Sequence, residues 1–300
     1  MMIKKSNGER IFGVINVIII GLISIIMLAP YLNVLAKAFN DGMDASRGGI
    51  YFWPRVFTLD NFKVIFSGQT FTTSLIVTVS RVIIGVVLAI TVQFSAAYSL
   101  SKKYFPGKGF FSVLFMIPTF ITAGQMPTYI LYSNMGLLNN FWVYILPGLF
   151  SFYNVVIIKT FIQSTIPVSL EEAALIDGAS EVVVFAKIII PLCKPILATI
   201  ALWVMVAHWN DWTTTLLYIR DSKLYTLQYV MMEMVKESER TQKLIAAALE
   251  TGQVIENTKA PTSDAMISAQ VIATTIPIIC VYPFLQKYFV KGVMVGSVKG

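Results

Sequence analysis

The stretch from Glu171 to Pro195 holds four carboxylates, Glu171, Glu172, Asp177 and Glu181, and two ammonium groups, Lys187 and Lys194, in a chain that is only 13% charged. Carboxylates this close together can do acid–base chemistry, ligate a metal or present charge to a partner. A metal centre would want histidine or cysteine beside them. His208 is the single histidine, and the two cysteines, Cys193 and Cys280, have no partner at ligand spacing. No Gly-x-Ser-x-Gly elbow supplies a nucleophile. The run nearest to a phosphate-binding loop, Pro106-Gly107-Lys108-Gly109, lacks both the first glycine and the final hydroxyl of that motif. Presentation to a partner is the use the sequence leaves for the acidic cluster, with an ordinary connecting loop as the plain alternative.

The local pattern predicts the shape in which the cluster is held. Ser169 and Glu172, three residues apart after Pro167, form a capping-box pattern that starts a helix by satisfying its first free amides. Asp177-Gly178 predicts the stop, since glycine takes the left-handed conformation that ends a helix without steric cost. Ser180 can cap a second helix in which Val183, Val184, Ala186, Lys187 and Ile188 run into Pro191. The expected object is a short helix, a sharp turn and another helix, with Glu171 and Glu172 exposed beside the small Ala173 and Ala174. Such a knob suits a groove on another protein.

The elements that must hold this elbow are membrane helices. A mean hydropathy of +0.72, with 56% hydrophobic residues, is outside the range of a fold that must cover itself in water. Apolar runs long enough to cross about 30 Å of hydrocarbon predict six spans, near residues 11–36, 71–100, 110–132, 141–163, 195–217 and 265–290. The first exceeds the apolar core of a cleaved signal peptide and is expected to be retained. Residues 37–70 and 218–264 form outer loops, the second with an amphipathic helix over Tyr225–Ala248, and 167–194 form an inner segment. With the first residues inside, the inner segments hold 12 of the 23 basic residues against five acids, while the outer ones hold 10 against 11. That asymmetry predicts both termini and the elbow on the cytoplasmic side. The formal charge of +7 is scattered at helix ends rather than gathered in a stripe, so nucleic acid is not an expected partner, whereas membrane lipid is.

Glu172-Ala173-Ala174, then Gly178, then Ile188 and Pro191 with Ile190 in place of leucine, resembles the EAA signature of the membrane subunits of binding-protein-dependent ABC importers. Asp177-Gly178-Ala179, Phe185 and Trp209-Asn210-Asp211 are similar to the carbohydrate-importing branch. The ending from Phe289 to Gly300 resembles its maltose-type second permease. The resemblance implies an all-α membrane protein: one transmembrane domain over residues 1–300, with six transmembrane helices in the type I ABC importer permease fold and a cytoplasmic coupling helix between helices 4 and 5. It implies a permease in a bacterial cell membrane, not an enzyme, that moves an oligosaccharide delivered by an extracellular solute-binding protein. Its implied partners are a second homologous permease and two ATPase subunits. ATP and Mg would sit on the ATPase, with no cofactor on this chain. Another polar solute, or an ion-coupled secondary transporter, is the alternative.

Within that frame Glu171, Glu172, Ala173, Ala174, Asp177, Gly178 and Ala179 are expected to couple to the ATPase, and the tail with Gly296, Ser297, Lys299 and Gly300 to reach between the two ATPase copies. Ionisable and polar groups inside spans are costly and mark the solute pathway. Arg81 and Asp211 are expected to pair or to line one cavity, alongside Gln125, Tyr129, Tyr153, Asn154, Trp209 and Asn210 as aromatic or amide groups suited to sugars. Pro118, Pro127, Pro147, Pro277 and Pro283 are expected to kink spans three, four and six.

Overall fold

The computed structural model describes residues 7–46, 48–250 and 264–296. The described residues form helices, with one isolated bridge between Asn40 and Phe57 and no strand. They divide into two compact units, Met1–Gln69 with Met231–Ile276, and Thr70–Val230 with Pro277–Gly300.

In the first unit α1 (Asn7–Ala38) is an unbroken helix of 32 residues, about 48 Å at 1.5 Å per residue. Its apolar side chains point outward on every side, as they do in lipid. The loop after it is tied down by amides. Asn40 accepts from the Val56 amide at 2.9 Å, and Asn61 donates to the carbonyls of Ala38 and Asn40 at 3.0 and 2.8 Å. The predicted amphipathic helix is present as α10 (Leu227–Glu250), and α11 runs over Asp264–Gly296; both pass from one unit to the other.

The second unit is built on α2 (Gln69–Ser101), 33 residues without a break. Its buried positions Arg81, Gly85, Ala89, Gln93 and Ala97 recur every four residues, which makes a groove floored by small side chains. Small residues let helices approach closely where lipid removes the hydrophobic drive for association. Phe94, Ala97, Tyr98 and Leu100 of α2 form one core with Val155, Ile158 and Ile162, with Val184 and Ile189, and with Ile200 and Val204.

Three of the expected spans are broken rather than continuous. Residues 110–132 fall into α3 (Lys108–Phe120) and α4 (Gln125–Asn134), which meet at 119°. Gly124, at φ +86°, turns the chain. Pro127, expected as a kink, sits instead in the first turn of α4, where its missing amide would have had no partner anyway. Residues 141–163 divide into 3-10 turns over Phe141–Gly148 and α5 (Phe152–Thr165), bent by 47°. Residues 195–217 form α8 (Lys194–Asn210), an extended Asp211, and the short α9 (Thr213–Tyr218). Ile11–Ala38 and Gln69–Ser101 are each long and apolar enough to cross a membrane, and three bent pairs reach that length only as pairs.

The elbow is α6 (Val168–Ile176), a turn, and α7 (Glu181–Leu192). Ser169 is not the cap: α6 starts at Val168, two residues ahead of that expectation, Pro167 is its extended N-cap, and no side chain caps it. The Leu170 amide instead bonds the Pro167 carbonyl at 3.1 Å, closing the first turn tightly. The stop is a complete Schellman turn. Gly178, at φ +85°, donates to Leu175, and Ala179 donates to Ala174 at 3.0 Å. Ser180 then caps α7 by accepting from the Val183 amide at 3.4 Å. Within α7, Phe185–Ile189 widen into a π turn just before Pro191. At the far end, Gly296 closes α11, while Ser297, Lys299 and Gly300 lie outside the described residues.

The left-handed backbone at Gly178 makes a direct prediction. Gly178→Val should cost on the order of 1–2 kcal/mol, the penalty for a side chain in that conformation. A lowered thermal unfolding midpoint of the detergent-purified protein is the expected result, and an unchanged midpoint would remove the turn's role.

Candidate functional site

Arg81 lies on the inner face of α2 with 3% of its surface exposed, so its charge must be met inside the protein. Its guanidinium is ion-paired through Nη2 with Oδ2 of Asp211, and Nη1 donates to the Asp211 carbonyl at 3.1 Å. Nε donates to Nδ1 of His208 at 3.2 Å, which leaves the imidazole proton on Nε2. The Tyr144 ring lies 4.6 Å from the guanidinium carbon. Asp211 is saturated as well: Oδ1 accepts from Thr213 Oγ1 at 2.7 Å and from the Thr214 amide at 3.1 Å, and Oδ2 accepts from Thr214 Oγ1 at 2.5 Å. Those bonds give the first turn of α9 an acceptor and hold Asp211 extended, which is why the helix breaks there.

His208 is packed against α2 at Gly85. A methyl group added to Gly85 would lie 2.5 Å from Nε2, so only glycine admits the ring. Above it, Tyr144 Oη donates to the Leu224 carbonyl at 2.8 Å and contacts Thr215 Oγ1 at 2.9 Å. Below it, Asn154 Nδ2 donates to Gln93 Oε1 at 3.0 Å, and Gln93 Nε2 donates to the Leu149 carbonyl at 3.1 Å.

These groups border a cavity of about 540 Å³ that includes Arg81, Gln93, Tyr144, Asn154, Trp203 and Asp211 in its wall. Of the residues singled out in the sequence, Arg81, Asn154 and Asp211 are brought together here. Tyr153 is exposed and stacks on Trp203, Gln125 is exposed at the start of α4, Tyr129 stacks on Tyr218, Trp209 is buried, and Asn210 accepts from Gln228; none of these lines the cavity. Gln93, Tyr144, Trp203 and Thr214 were missed. Gln93 had a signal, because it falls twelve residues after Arg81 on the same buried row. Among the described residues no group of three or more His, Cys, Asp or Glu is placed to hold a metal.

The elbow offers a second surface. Glu172 and Ala173 are exposed, and Ile176 shows 85% of its surface; Asp177 and Gly178 are exposed at the turn, while Ala174 and Ala179 pack against the core. Glu171 departs from its expected exposure. Three residues before Ala174, it takes the inward side of α6 and is ion-paired with Lys102, just past the end of α2. Lys102 lies 4.3 Å from the Tyr98 ring. Burial is the largest single influence and would lower its pKa, but the hydrogen bonds and charges of Glu171 and Tyr98 together outweigh it and hold the lysine above the usual 10.5. With the folded value raised, the pair's contribution is complete below the unfolded value and is lost only as pH climbs through the folded one.

Long apolar helices, broken spans and a capped elbow with an exposed face define a helical membrane protein. The chain belongs to the family of binding-protein-dependent transport system inner membrane components, whose family model matches residues 81–295. It is 37% identical to Protein LplC of Bacillus subtilis (strain 168) across 99% of this chain and 97% of the relative. It is 31% identical to the polygalacturonan/rhamnogalacturonan transport system permease protein YtcP of the same organism, across 97% of this chain and 99% of that one. Its structure matches a chain of a bacterial ABC transporter involved in the import of the acidic polysaccharide alginate, with a TM-score of 0.82 and 26% identity over 96% of this chain and 100% of the other. The chain is thus a transport permease rather than an enzyme.

The buried pair predicts unequal losses. Asp211→Asn strands an almost wholly buried cation and should cost roughly 3 kcal/mol, the low end for breaking a buried pair because Asp211 keeps 22% side-chain exposure. Arg81→Met leaves Asp211 with its threonine and amide donors and should cost clearly less. The double variant should be closer to wild type than Asp211→Asn alone. Thermal unfolding in detergent ranks the three, and equal effects of the single variants would refute the asymmetry.

Proposed function

We propose that the chain is one of two different permease subunits of an ATP-driven importer, that it passes an oligosaccharide inward across a bacterial plasma membrane, and that α6 is its coupling helix. The observation that carries this is the elbow: a short helix, capped by a Schellman turn, that presents Glu172, Ala173 and Ile176 outward. A rigid, small-faced helix suits insertion into a cleft, and a carboxylate at its tip suits a basic residue there through a charge-assisted bond. Ala174, Asp177, Gly178 and Ala179 hold the turn, and Glu171 belongs to the inner side.

The rest of the assembly follows from this proposal. ATP and Mg sit on two copies of a separate ATPase, and a second, homologous permease completes the membrane part. An extracellular solute-binding protein delivers the substrate, in keeping with the family's description. Six crossings, with the broken pairs counted as single spans and α11 as the sixth, would place both termini and the elbow in the cytoplasm, and the tail from Gly296 would reach the ATPase pair.

An oligosaccharide is favoured by the relatives: one is named for polygalacturonan and rhamnogalacturonan, another for maltodextrin, and the matched structure for alginate. The cavity bordered by Arg81, Asn154 and Asp211, with the amide of Gln93 and the half-open ring of Trp203, has the amide and aromatic groups that sugars engage. We assign it to the solute pathway. An ion-coupled carrier is less well supported, since the ionisable pair within the spans is closed on itself.

Ala173→Arg tests the docking role. It adds bulk and charge to an exposed position that packs on nothing, so folding should be preserved. ATPase subunits that co-purify with the wild-type chain should be lost by at least about tenfold, as expected when a bulky charge clashes at the centre of an interface. Full retention of both ATPase subunits and of sugar uptake would refute the assignment.

A further inference from the structure

Lys102 and Glu171 carry an inference that rests on the reading of α6 as the docking helix. None of the residues of α6 is fully buried, and Ala174, which packs against the core, is small, so apolar mass does little to fix the helix to the protein. Its side-chain ion pair to the rest of the unit runs from Glu171, with 15% side-chain exposure, to Lys102, with 30%. The lysine is itself held. Its ammonium lies 4.3 Å from the Tyr98 ring, and its carbonyl accepts from Lys108 Nζ at 3.0 Å. The neighbouring Ser101 carbonyl accepts from Gln163 at 3.0 Å. Tyr98 and Phe94 in turn pack on Phe185 of α7, the first tilted and the second stacked, with centroids 4.9 and 5.1 Å away.

The ion pair therefore ends on an anchored point of α2, not on a loose surface lysine. From Lys102 to Arg81 the chain is helical up to Ser101 without a break, and the two residues lie about 32 Å apart along the axis. An unbroken helix of that length is a rigid element that can carry displacement. At its other end it carries the Arg81–Asp211 pair and the wall of the cavity.

We propose that the Lys102–Glu171 pair is the brace that delivers displacement of α6 to α2, and that Lys102 is a positioning residue for transport. Pulling on α6 draws the carboxylate, the carboxylate draws the ammonium, and α2 shifts against α8 at the cavity. Without the brace α6 could still dock and move, but it would pivot on its flanking turns.

The test uses the full assembly in proteoliposomes, with ATPase subunits and binding protein, and measures sugar taken up per ATP hydrolysed. Lys102→Met should co-purify with the ATPase and hydrolyse ATP near the wild-type rate, while uptake per ATP falls about five- to tenfold, the scale of a lost coupling contact. Glu171→Gln should do the same. The exchange Lys102→Glu with Glu171→Lys should restore at least half of the coupling. Wild-type uptake per ATP in Lys102→Met would overturn the brace. Loss of the ATPase from Lys102→Met would also overturn it, by making the pair part of docking itself. Failure of the docking reading would show separately, as an intact assembly carrying Ala173→Arg.

Discussion

A guanidinium that water scarcely reaches must find its counter-charge and hydrogen-bond acceptors inside the protein, and the second unit is arranged to supply them. Placing a bare arginine at mid-membrane costs about 2.5–3.5 kcal/mol on insertion scales. Arg81 meets the cost with one carboxylate, one carbonyl and one imidazole nitrogen. The carbonyl and the carboxylate both come from Asp211, and that is possible only because α8 has ended: inside a continuous helix the same carbonyl would be bonded four residues ahead. The break in the fifth apolar run is therefore the means by which one residue offers two acceptors to one cation, and Thr213 and Thr214 hold it in that form.

The same cation dictates how closely α2 and α8 approach. For Nε to reach His208, the imidazole must lie flat against α2, and only Gly85 leaves room for it. Ala89 and Ala97 continue the close contact down the row, and Gln93 interrupts it with an amide that ties α2 to Leu149 and Asn154. A single face of one helix thus carries a charge, small side chains and an amide in turn, and each neighbour meets the part it can satisfy. Close packing at small residues and a few satisfied polar groups take the place of the hydrophobic drive that lipid withholds.

What could be read from the sequence follows from how local each feature is. The stop at Gly178 and the cap at Ser180 were legible, because a Schellman turn and an N-cap are decided within four or five residues. The helical character of the apolar runs was legible for the same reason. The capping pattern puts the start of α6 two residues late, since Ser169 competes with a proline that already sets the extended N-cap backbone. Glu171 was assigned to the exposed side because nothing nearby shows that Lys102, 69 residues away, waits for it. The cavity was partly legible: a charged pair in apolar runs announces itself, whereas Tyr144 and Trp203 look like any aromatic residue of a membrane helix until the breaks fold them inward. Those breaks were expected at the prolines, yet Gly124 and Asp211 make two of them.

Proline explains the remaining irregularity and connects it to the elbow. Pro127 and Pro195 each lie in the first turn of a helix, where a missing amide is harmless. Pro191 has no such position, because α7 is already under way when it arrives. A proline in mid-helix both lacks its bond and crowds the carbonyl four residues back, here that of Lys187. The chain answers by widening Phe185–Ile189 into a π turn, in which the Ile190 amide reaches back to Phe185. One extra residue in a turn rotates everything before it by about 100° relative to everything after. Phe185 is thereby set against Phe94 and Tyr98 while Ile200 and Val204 of α8 remain in the core. The direction in which α6 presents Glu172 and Ala173 is thus fixed partly by a proline nineteen residues beyond Glu172 in the chain. A change at Pro191 would turn α6 without touching its exposed face.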